Sequence, residues 1–193
     1  MHIAKNFKRT QNPLVALKTT TGGSWMELLK ALQKRRSVRK FTEEIVSKED
    51  INILMHAAMS GPSACNARPW EFYVVSSETG LQNLRKATKY TNMNAPLAIV
   101  VCGNLSHALP APLTDFWVQD CSAATENILL AATDIGLGAV WCGIYPNDKA
   151  VANVKIALGL PEEHIPLNII LVGHPDQFPE PRDQYDEKCV HMV

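Results

Sequence analysis

The chain has 193 residues, of which 46% are hydrophobic and 20% charged, and this length and composition fit one globular domain with its own core. Lys and Arg together number 19, as do Asp and Glu, so no overall positive charge favours a nucleic acid or an anionic membrane surface. No apolar stretch approaches the ~20 residues that a membrane helix needs, and the first residues lack the apolar segment of a secretory signal, so we expect a cytoplasmic protein.

The first predicted elements lie at the N-terminal end. Residues 1–23 are polar and close on two glycines, which predicts a flexible extension. Ser24 and Glu27 have the spacing of a capping box, which predicts that a helix begins here and runs to about Lys34. The apolar side of this helix carries Leu28, Leu29 and Leu32.

Hydrophobic periodicity predicts the remaining elements. The next four are a helix over 48–60 that ends at Gly61-Pro62, a strand at 70–75, a polar helix over 79–90 and a buried strand at 97–102. They are followed by a long helix over 115–135, a strand at 139–142, a helix over 148–158, a strand at 167–172 and an irregular tail from Pro175. Small residues dominate one stripe of the long helix, which is typical of a central core helix or of a close contact between subunits.

Alternating helices and strands usually indicate a doubly wound parallel sheet, but the glycines argue against a dinucleotide-binding fold. The segment Gly136-Leu137-Gly138 has Trp141 where the fingerprint needs its third glycine. It also follows a helix, whereas the fingerprint must follow a strand. The five cysteines include no Cys-x-x-Cys pair and the six histidines no His-x-x-x-His pair, so neither a disulfide framework nor a metal site is predicted.

A basic run follows the first helix. Arg35, Arg36, Ser37 and Arg39 offer guanidinium forks and a hydroxyl, the groups that hold a phosphate by geometry as well as by charge. A helix C-terminus repels anions, so these side chains rather than the helix dipole would have to bind it. A short basic run is also typical of a solvated helix end, and the run alone does not decide between the two.

Four segments follow one another along the chain: the basic run, Pro62–Trp70, Gly136–Gly143, and a tail containing Pro181-Arg182 and Cys189-Val190-His191. Together they resemble the nitroreductase family of FMN-dependent oxidoreductases, over roughly Leu28 to the C-terminus. The resemblance implies an α+β fold, a three-layer α/β/α sandwich with a mostly antiparallel central sheet, for an FMN-binding domain over 24–193. It also implies an intertwined homodimer with FMN at the subunit interface and the long helix in the dimer core.

The resemblance also implies roles for particular residues. Arg35, Ser37 and Arg39 correspond to the family's phosphate clamp, which Arg182 would close from the tail. Arg36 is included among the cofactor-binding residues, although its side chain could also point elsewhere. The segment Pro62, Ser63, Ala64 and Asn66 corresponds to a loop along the flavin ring and ribityl chain, and Cys142 and Gly143 to a stretch whose backbone approaches flavin N5. No catalytic side chain is predicted, because the cofactor itself carries the electrons.

Some of these residues have simpler interpretations. Ser63 and Asn66 are also typical turn caps, and Gly136 is also a typical helix C-cap. Cys65 and Cys142 are expected to be small buried thiols. Two residues depart from the family pattern, Arg68 and Glu126, each standing where a Gln is common. Arg68 could bind an anionic substrate or the phosphate of NADPH, but a surface pair with Glu71 is the favoured interpretation.

The leading functional hypothesis is an enzyme that passes electrons from NADH or NADPH through FMN to nitroaromatic, quinone or similar small acceptors, with ping-pong kinetics. One alternative is a specialised branch of the superfamily that fragments flavin or removes halogens. A second is a flavin-binding or sequestering protein with little turnover. A third is a polyanion-binding protein that uses the basic run, which the neutral total charge disfavours.

Overall fold

The computed structural model describes residues 28–193, so the predicted extension 1–23 and the capping box of Ser24 and Glu27 lie outside it. Five α-helices and four β-strands are present in the described residues. In chain order they are α1 Leu28–Lys34, α2 Lys48–Met59, β1 Trp70–Val75, α3 Glu78–Ala87, β2 Leu97–Asn104, α4 Phe116–Asp134, β3 Gly138–Gly143, α5 Asp148–Leu158 and β4 His164–Gly173.

The four strands form one sheet in the order β1-β2-β4-β3, and every neighbouring pair is antiparallel. β2 is central and buried along its whole length, which explains its continuous apolar sequence. β1 and β3 are the two edge strands, so the segments that precede or flank them lie at opposite sides of the sheet. The predicted antiparallel sheet is confirmed.

Helices cover both faces of the sheet, which confirms the three-layer sandwich. Alternate residues of β2 contribute to two separate apolar clusters, one shared with α2 and α4 and the other with α3 and α5. The small-residue stripe of α4 is part of the first cluster, where Cys121, Ala124 and Ile128 are fully buried within this chain. The stripe therefore belongs to the chain's own core, one of its two predicted roles.

A close contact fixes the start of α4 on the sheet. A Cβ placed on Gly103 of β2 would lie 2.2 Å from Cε3 of Trp117, so only glycine leaves room for this indole. Trp117 is 3% exposed and its ring meets the ring of Tyr145 edge-on, with 4.9 Å between centroids. Trp117 thus packs against Gly103 of the central strand and against Tyr145, just after β3.

Local signals set the ends of the helices. Ser47 caps α2 by accepting a hydrogen bond from the Asp50 N–H at 3.0 Å, and Gly136 follows α4 with φ +80°, the predicted C-cap. α3 is shorter than predicted because Thr88 is extended and its side chain caps a separate 3-10 turn, Lys89–Thr91. None of the five helices in residues 28–193 is long and apolar enough to cross a membrane.

The outer parts of the chain leave apolar side chains in water. On α1, only Ala31 is buried, while Leu28, Leu29 and Leu32 are 67%, 72% and 48% exposed. The tail joins the body where the Asp176 N–H donates to the Lys40 carbonyl at 2.9 Å, and beyond that point its apolar residues are exposed. A helix this short gains little stability without an apolar partner for its leucines.

Candidate functional site

The basic segment, residues 35–39, runs along the free edge of β3. The Val38 N–H donates to the Ala139 carbonyl at 3.0 Å, and Ser37 pairs with Ala139 as an isolated parallel bridge. Gly138 leaves room for the Val38 side chain, because a Cβ there would lie 2.7 Å from a Val38 methyl group. Packing and two backbone groups therefore fix this segment beside the strand.

The guanidinium groups of the segment are incompletely paired. Arg35 Nε lies 3.6 Å from Glu126 Oε1, and both groups are partly exposed. This ion pair gives a reason for a Glu at position 126, where a Gln is common in the family. Arg36 Nε is buried and has no hydrogen-bond partner among the described residues. A buried charged donor without an acceptor is costly, so the arrangement indicates a place for an anion or another acceptor.

Arg39 lies close enough to Cys142 for its charge to act on the thiol. Burial raises the pKa of the Cys142 thiol to about 11, and the positive charge of Arg39 lowers it by a smaller amount. The thiol donates a hydrogen bond to the Tyr90 carbonyl at 3.1 Å. Cys142 is therefore a buried neutral thiol, as predicted, and Arg39 remains exposed beside it.

Gly143 ends β3 at an open part of the edge. Ile144 donates its N–H to Leu167 of β4, and Ala139 accepts from the basic segment on the other side. Because backbone groups alternate in direction along an antiparallel strand, the Gly143 N–H faces the same free edge as Ala139. Apart from its chain neighbours, no described atom lies within 4 Å of where a Gly143 Cβ would be, and Gly143 is exposed, so one face of the strand is open here.

The 62–68 loop, residues Pro62 to Arg68, has an uncommon backbone. Cys65, Asn66 and Arg68 have φ values of 50°, 56° and 50°, in the left-handed region. Such conformations cost of order 1–3 kcal/mol each outside glycine, and they cluster at functional sites. Ser63 Oγ accepts the Arg68 N–H at 3.0 Å, so Ser63 is a turn cap as well as a candidate flavin ligand.

A residue that the sequence interpretation missed holds this loop. Asp120 of α4 accepts the Ala64 N–H through Oδ1 at 2.9 Å, and Asp120 is only 5% exposed. The available signal was an acidic residue three positions after Trp117, on the buried side of a helix of small residues. Asn168 was missed in the same way: it interrupts an apolar strand, donates to Thr125 Oγ1 at 2.9 Å, and keeps a buried Oδ1 without a partner among residues 28–193.

The predicted ligands form two groups in one chain. The basic segment lies beside β3, the edge strand that ends with Cys142 and Gly143, whereas the 62–68 loop precedes β1 at the opposite edge. Three inter-strand spacings separate these edges, about 14 Å. Arg182 is exposed in the tail and has no hydrogen bond or ion pair to the basic segment within the described residues. A single chain therefore does not bring all the predicted ligands together.

Two expectations about individual residues were wrong. Arg68 does not pair with Glu71, because the Glu71 carboxylate accepts from Asn104 Nδ2 at 3.2 Å and Arg68 is exposed on the loop. Cys65 is exposed rather than buried, because the left-handed backbone of the loop turns it outward.

The chain is similar to known proteins over most of its length. The model of the nitroreductase family matches residues 32–96 and 85–174. A protein of Methanothermobacter thermautotrophicus, provisionally named an NADH dehydrogenase/NAD(P)H nitroreductase, is 42% identical over 172 residues, which are 88% of this chain and 88% of that protein.

Solved structures share the fold as well. A Bacteroides thetaiotaomicron protein with the same provisional name is 39% identical, with a TM-score of 0.81 over 88% of this chain and 98% of the other. A nitroreductase of Desulfovibrio desulfuricans, also provisionally named and solved in complex with FMN, is 28% identical, with a TM-score of 0.75 over 88% and 98% of the two chains. The chain belongs to the nitroreductase family.

Proposed function

We propose that the protein is an FMN-dependent oxidoreductase that takes electrons from NADH or NADPH and passes them to nitroaromatic, quinone or similar small acceptors. The observation that carries the proposal is the β3 edge, where a segment with an arginine donor unsatisfied among the described residues lies beside a strand that ends at an exposed glycine. The family's relatives, among them a structure that contains FMN, support the choice of cofactor.

The residues present fit FMN. Arg36 Nε supplies a buried donor that has no acceptor among residues 28–193, and Arg35 and Arg39 add charge to the same segment. Ser37 lies beside Ala139 and Gly143 follows four residues later, about 13 Å along the strand, which leaves room for a ribityl chain between a phosphate and a ring. Gly143 itself has no side chain that could block a planar ring, and the space where its Cβ would lie is open.

The chain's own groups would bind and orient rather than react. Guanidinium groups of the basic segment would hold the phosphate, and Ser63 and Asn66 would offer polar groups to the ring and ribityl chain. The Gly143 N–H would donate toward the flavin ring at the free edge of β3. Bound FMN would supply the redox chemistry, accepting hydride from NAD(P)H and giving electrons to the acceptor.

We further propose that the protein is a homodimer with FMN at the subunit interface. The separation of the 62–68 loop from the basic segment supports this, because a second copy would supply the missing half of each site. The exposed leucines of α1 and the exposed Phe178 and Tyr185 of the tail supply apolar surface for such a contact. All five cysteines are free, which fits the reducing cytoplasm.

The visible spectrum of the purified protein tests the function. We expect flavin absorbance that bleaches when NADH or NADPH is added without oxygen and returns when a quinone or nitroaromatic is added. Flavin that stays oxidised with both donors would favour a sequestering protein. A protein that cannot be loaded with FMN, or that binds polyanions in a salt-sensitive way instead, would refute the proposal. Light scattering then tests the dimer, with twice the chain mass expected.

A further inference from the structure

We infer that Asp120 is a positioning residue of the cofactor site. Its buried carboxylate holds the 62–68 loop in the conformation that binds flavin, before any flavin is present. The inference rests on the proposed function, because it assigns a role toward the FMN that this loop is proposed to contact. Asp120 itself would touch neither cofactor nor substrate and would act through the backbone of Ala64.

The hydrogen bond between Asp120 and Ala64 is short and largely shielded from water. Oδ1 of Asp120 lies 2.9 Å from the Ala64 N–H, across 56 positions of sequence, and 95% of Asp120 is shielded from water. A carboxylate is a stronger acceptor than an amide or a hydroxyl, but it is also more costly to bury. A buried carboxylate whose described contact in this loop is one backbone N–H therefore indicates that the position of that N–H matters.

The loop has a reason to need this anchor. Ala64 immediately precedes Cys65 and Asn66, two of the three residues with left-handed backbones, and such residues relax toward commoner conformations unless their surroundings fix them. Asn127 of α4 also donates to the carbonyl of Ala57 at 3.1 Å, so the same helix holds the chain on both sides of the Gly61 turn. Of these two contacts only the Asp120 bond lies inside the loop.

Substitutions at Asp120 separate this role from general stability. For Asp120→Ala we expect the Kd of FMN, measured by flavin fluorescence quenching, to rise about ten-fold or more, because a charge-assisted bond is lost. For Asp120→Asn, which keeps an acceptor without the charge, we expect a rise of about two- to four-fold. Asp115→Ala is the matched control: it removes an exposed carboxylate at the start of α4 that makes no capping hydrogen bond, and Kd should stay within about two-fold.

A double-mutant cycle with Asn66→Ala tests whether the effect passes through the loop. If Asp120 positions Asn66, the two substitutions together should weaken FMN binding by clearly less than the product of their separate effects. Purely additive effects would contradict a positioning role. A lower melting temperature with an unchanged Kd in Asp120→Ala would reduce Asp120 to a structural residue and would also overturn the inference.

Hydrogen exchange of the FMN-free protein supplies a readout that needs no cofactor. The amide of Ala64, followed in peptides that cover residues 61–69, should exchange faster in Asp120→Asn than in the parent chain, and faster still in Asp120→Ala. If Asp120→Ala does not fold, the Asn variant decides alone, and parental exchange together with parental Kd in that variant would overturn the inference. A parent chain that binds FMN while these variants match it refutes only the inference, whereas a parent chain that binds no FMN refutes the proposed function.

Discussion

The 62–68 loop and the basic segment are the two parts of the candidate site, and the chain holds them in different ways. In the loop, Asp120 accepts the Ala64 N–H near one end, and Ser63 Oγ accepts the Arg68 N–H and so links the two ends. The basic segment is fixed through its backbone, the Val38 side chain and the partly exposed Arg35–Glu126 pair, while Arg36 Nε has no hydrogen-bond partner among the described residues. The loop therefore contributes a preset shape, and the segment contributes positive charge that is only partly paired among the described residues.

The charge of the segment should carry the largest share of affinity. We expect Arg39→Ala to raise the Kd of FMN about ten-fold or more, because a hydrogen bond to a charged phosphate contributes ~1.5–3 kcal/mol. Fluorescence quenching titrations measure this. Lys40→Ala, which removes the same charge from an exposed neighbour outside the candidate site, should leave Kd nearly unchanged. Equal effects of the two substitutions would mean that the segment acts only as a diffuse positive surface.

A hydrogen bond that shapes the 62–68 loop should contribute less to FMN affinity than a charged group of the basic segment does. Ser63→Ala removes the acceptor of the Arg68 N–H, a neutral bond worth ~1 kcal/mol, so we expect about a five-fold weaker Kd for FMN. Ser60→Ala removes a hydroxyl that donates to the His56 carbonyl just before the loop, and it serves as the control. A Ser63→Ala chain that binds FMN as the parent does would show that the loop keeps its shape without this bond.

Substitution of Glu126 should change FMN affinity by less, and should raise it rather than lower it. Its carboxylate pairs with Arg35 at 3.6 Å, and both groups are partly exposed, so the pair contributes at most ~1 kcal/mol. We expect Glu126→Gln to strengthen FMN binding by about two-fold, because Arg35 no longer has a competing anion. Glu49→Gln, an exposed carboxylate in the first turn of α2, should have no effect. Weaker binding in Glu126→Gln would show that the pair orients Arg35 instead.

The smallest effect is expected from the thiol beside Arg39. Burial raises the pKa of Cys142 from its ordinary value of 9.0 to about 11, so the folded chain favours the neutral thiol. The stability this provides is complete below about pH 9 and is lost as pH rises from 9 toward 11. The melting-temperature difference between the parent and Cys142→Ala should therefore be constant from pH 6 to 9 and shrink above pH 9.

If the melting-temperature difference between the parent and Cys142→Ala changed between pH 6 and 8, the Cys142 thiol would be ionising in that range, next to Arg39. The segment's charge would then be partly neutralised within its own chain, and the contrast with the loop would weaken. Over the same range, FMN affinity should show no pH dependence from this thiol.

Periodicity and capping signals predicted the elements from α2 to β4, because these elements depend on local patterns and on burial within one chain. The antiparallel direction of the sheet came from the family resemblance, since βα alternation alone is typical of parallel sheets. The roles of Asp120 and Asn168 could not be predicted, because their partners are distant in sequence. The left-handed backbone at Cys65 and Arg68 could not be predicted either, because neither residue prefers it.

Substitutions at Gly103, in the central strand β2, should affect the candidate site at the edge of β3. Any side chain at position 103 would displace the buried Trp117 indole. The indole ring contacts Tyr145, two residues after Gly143, so the displacement would reach the open edge of β3. A random-mutagenesis screen for altered acceptor preference should therefore return substitutions in the middle layer of the protein, at a position that no ligand touches.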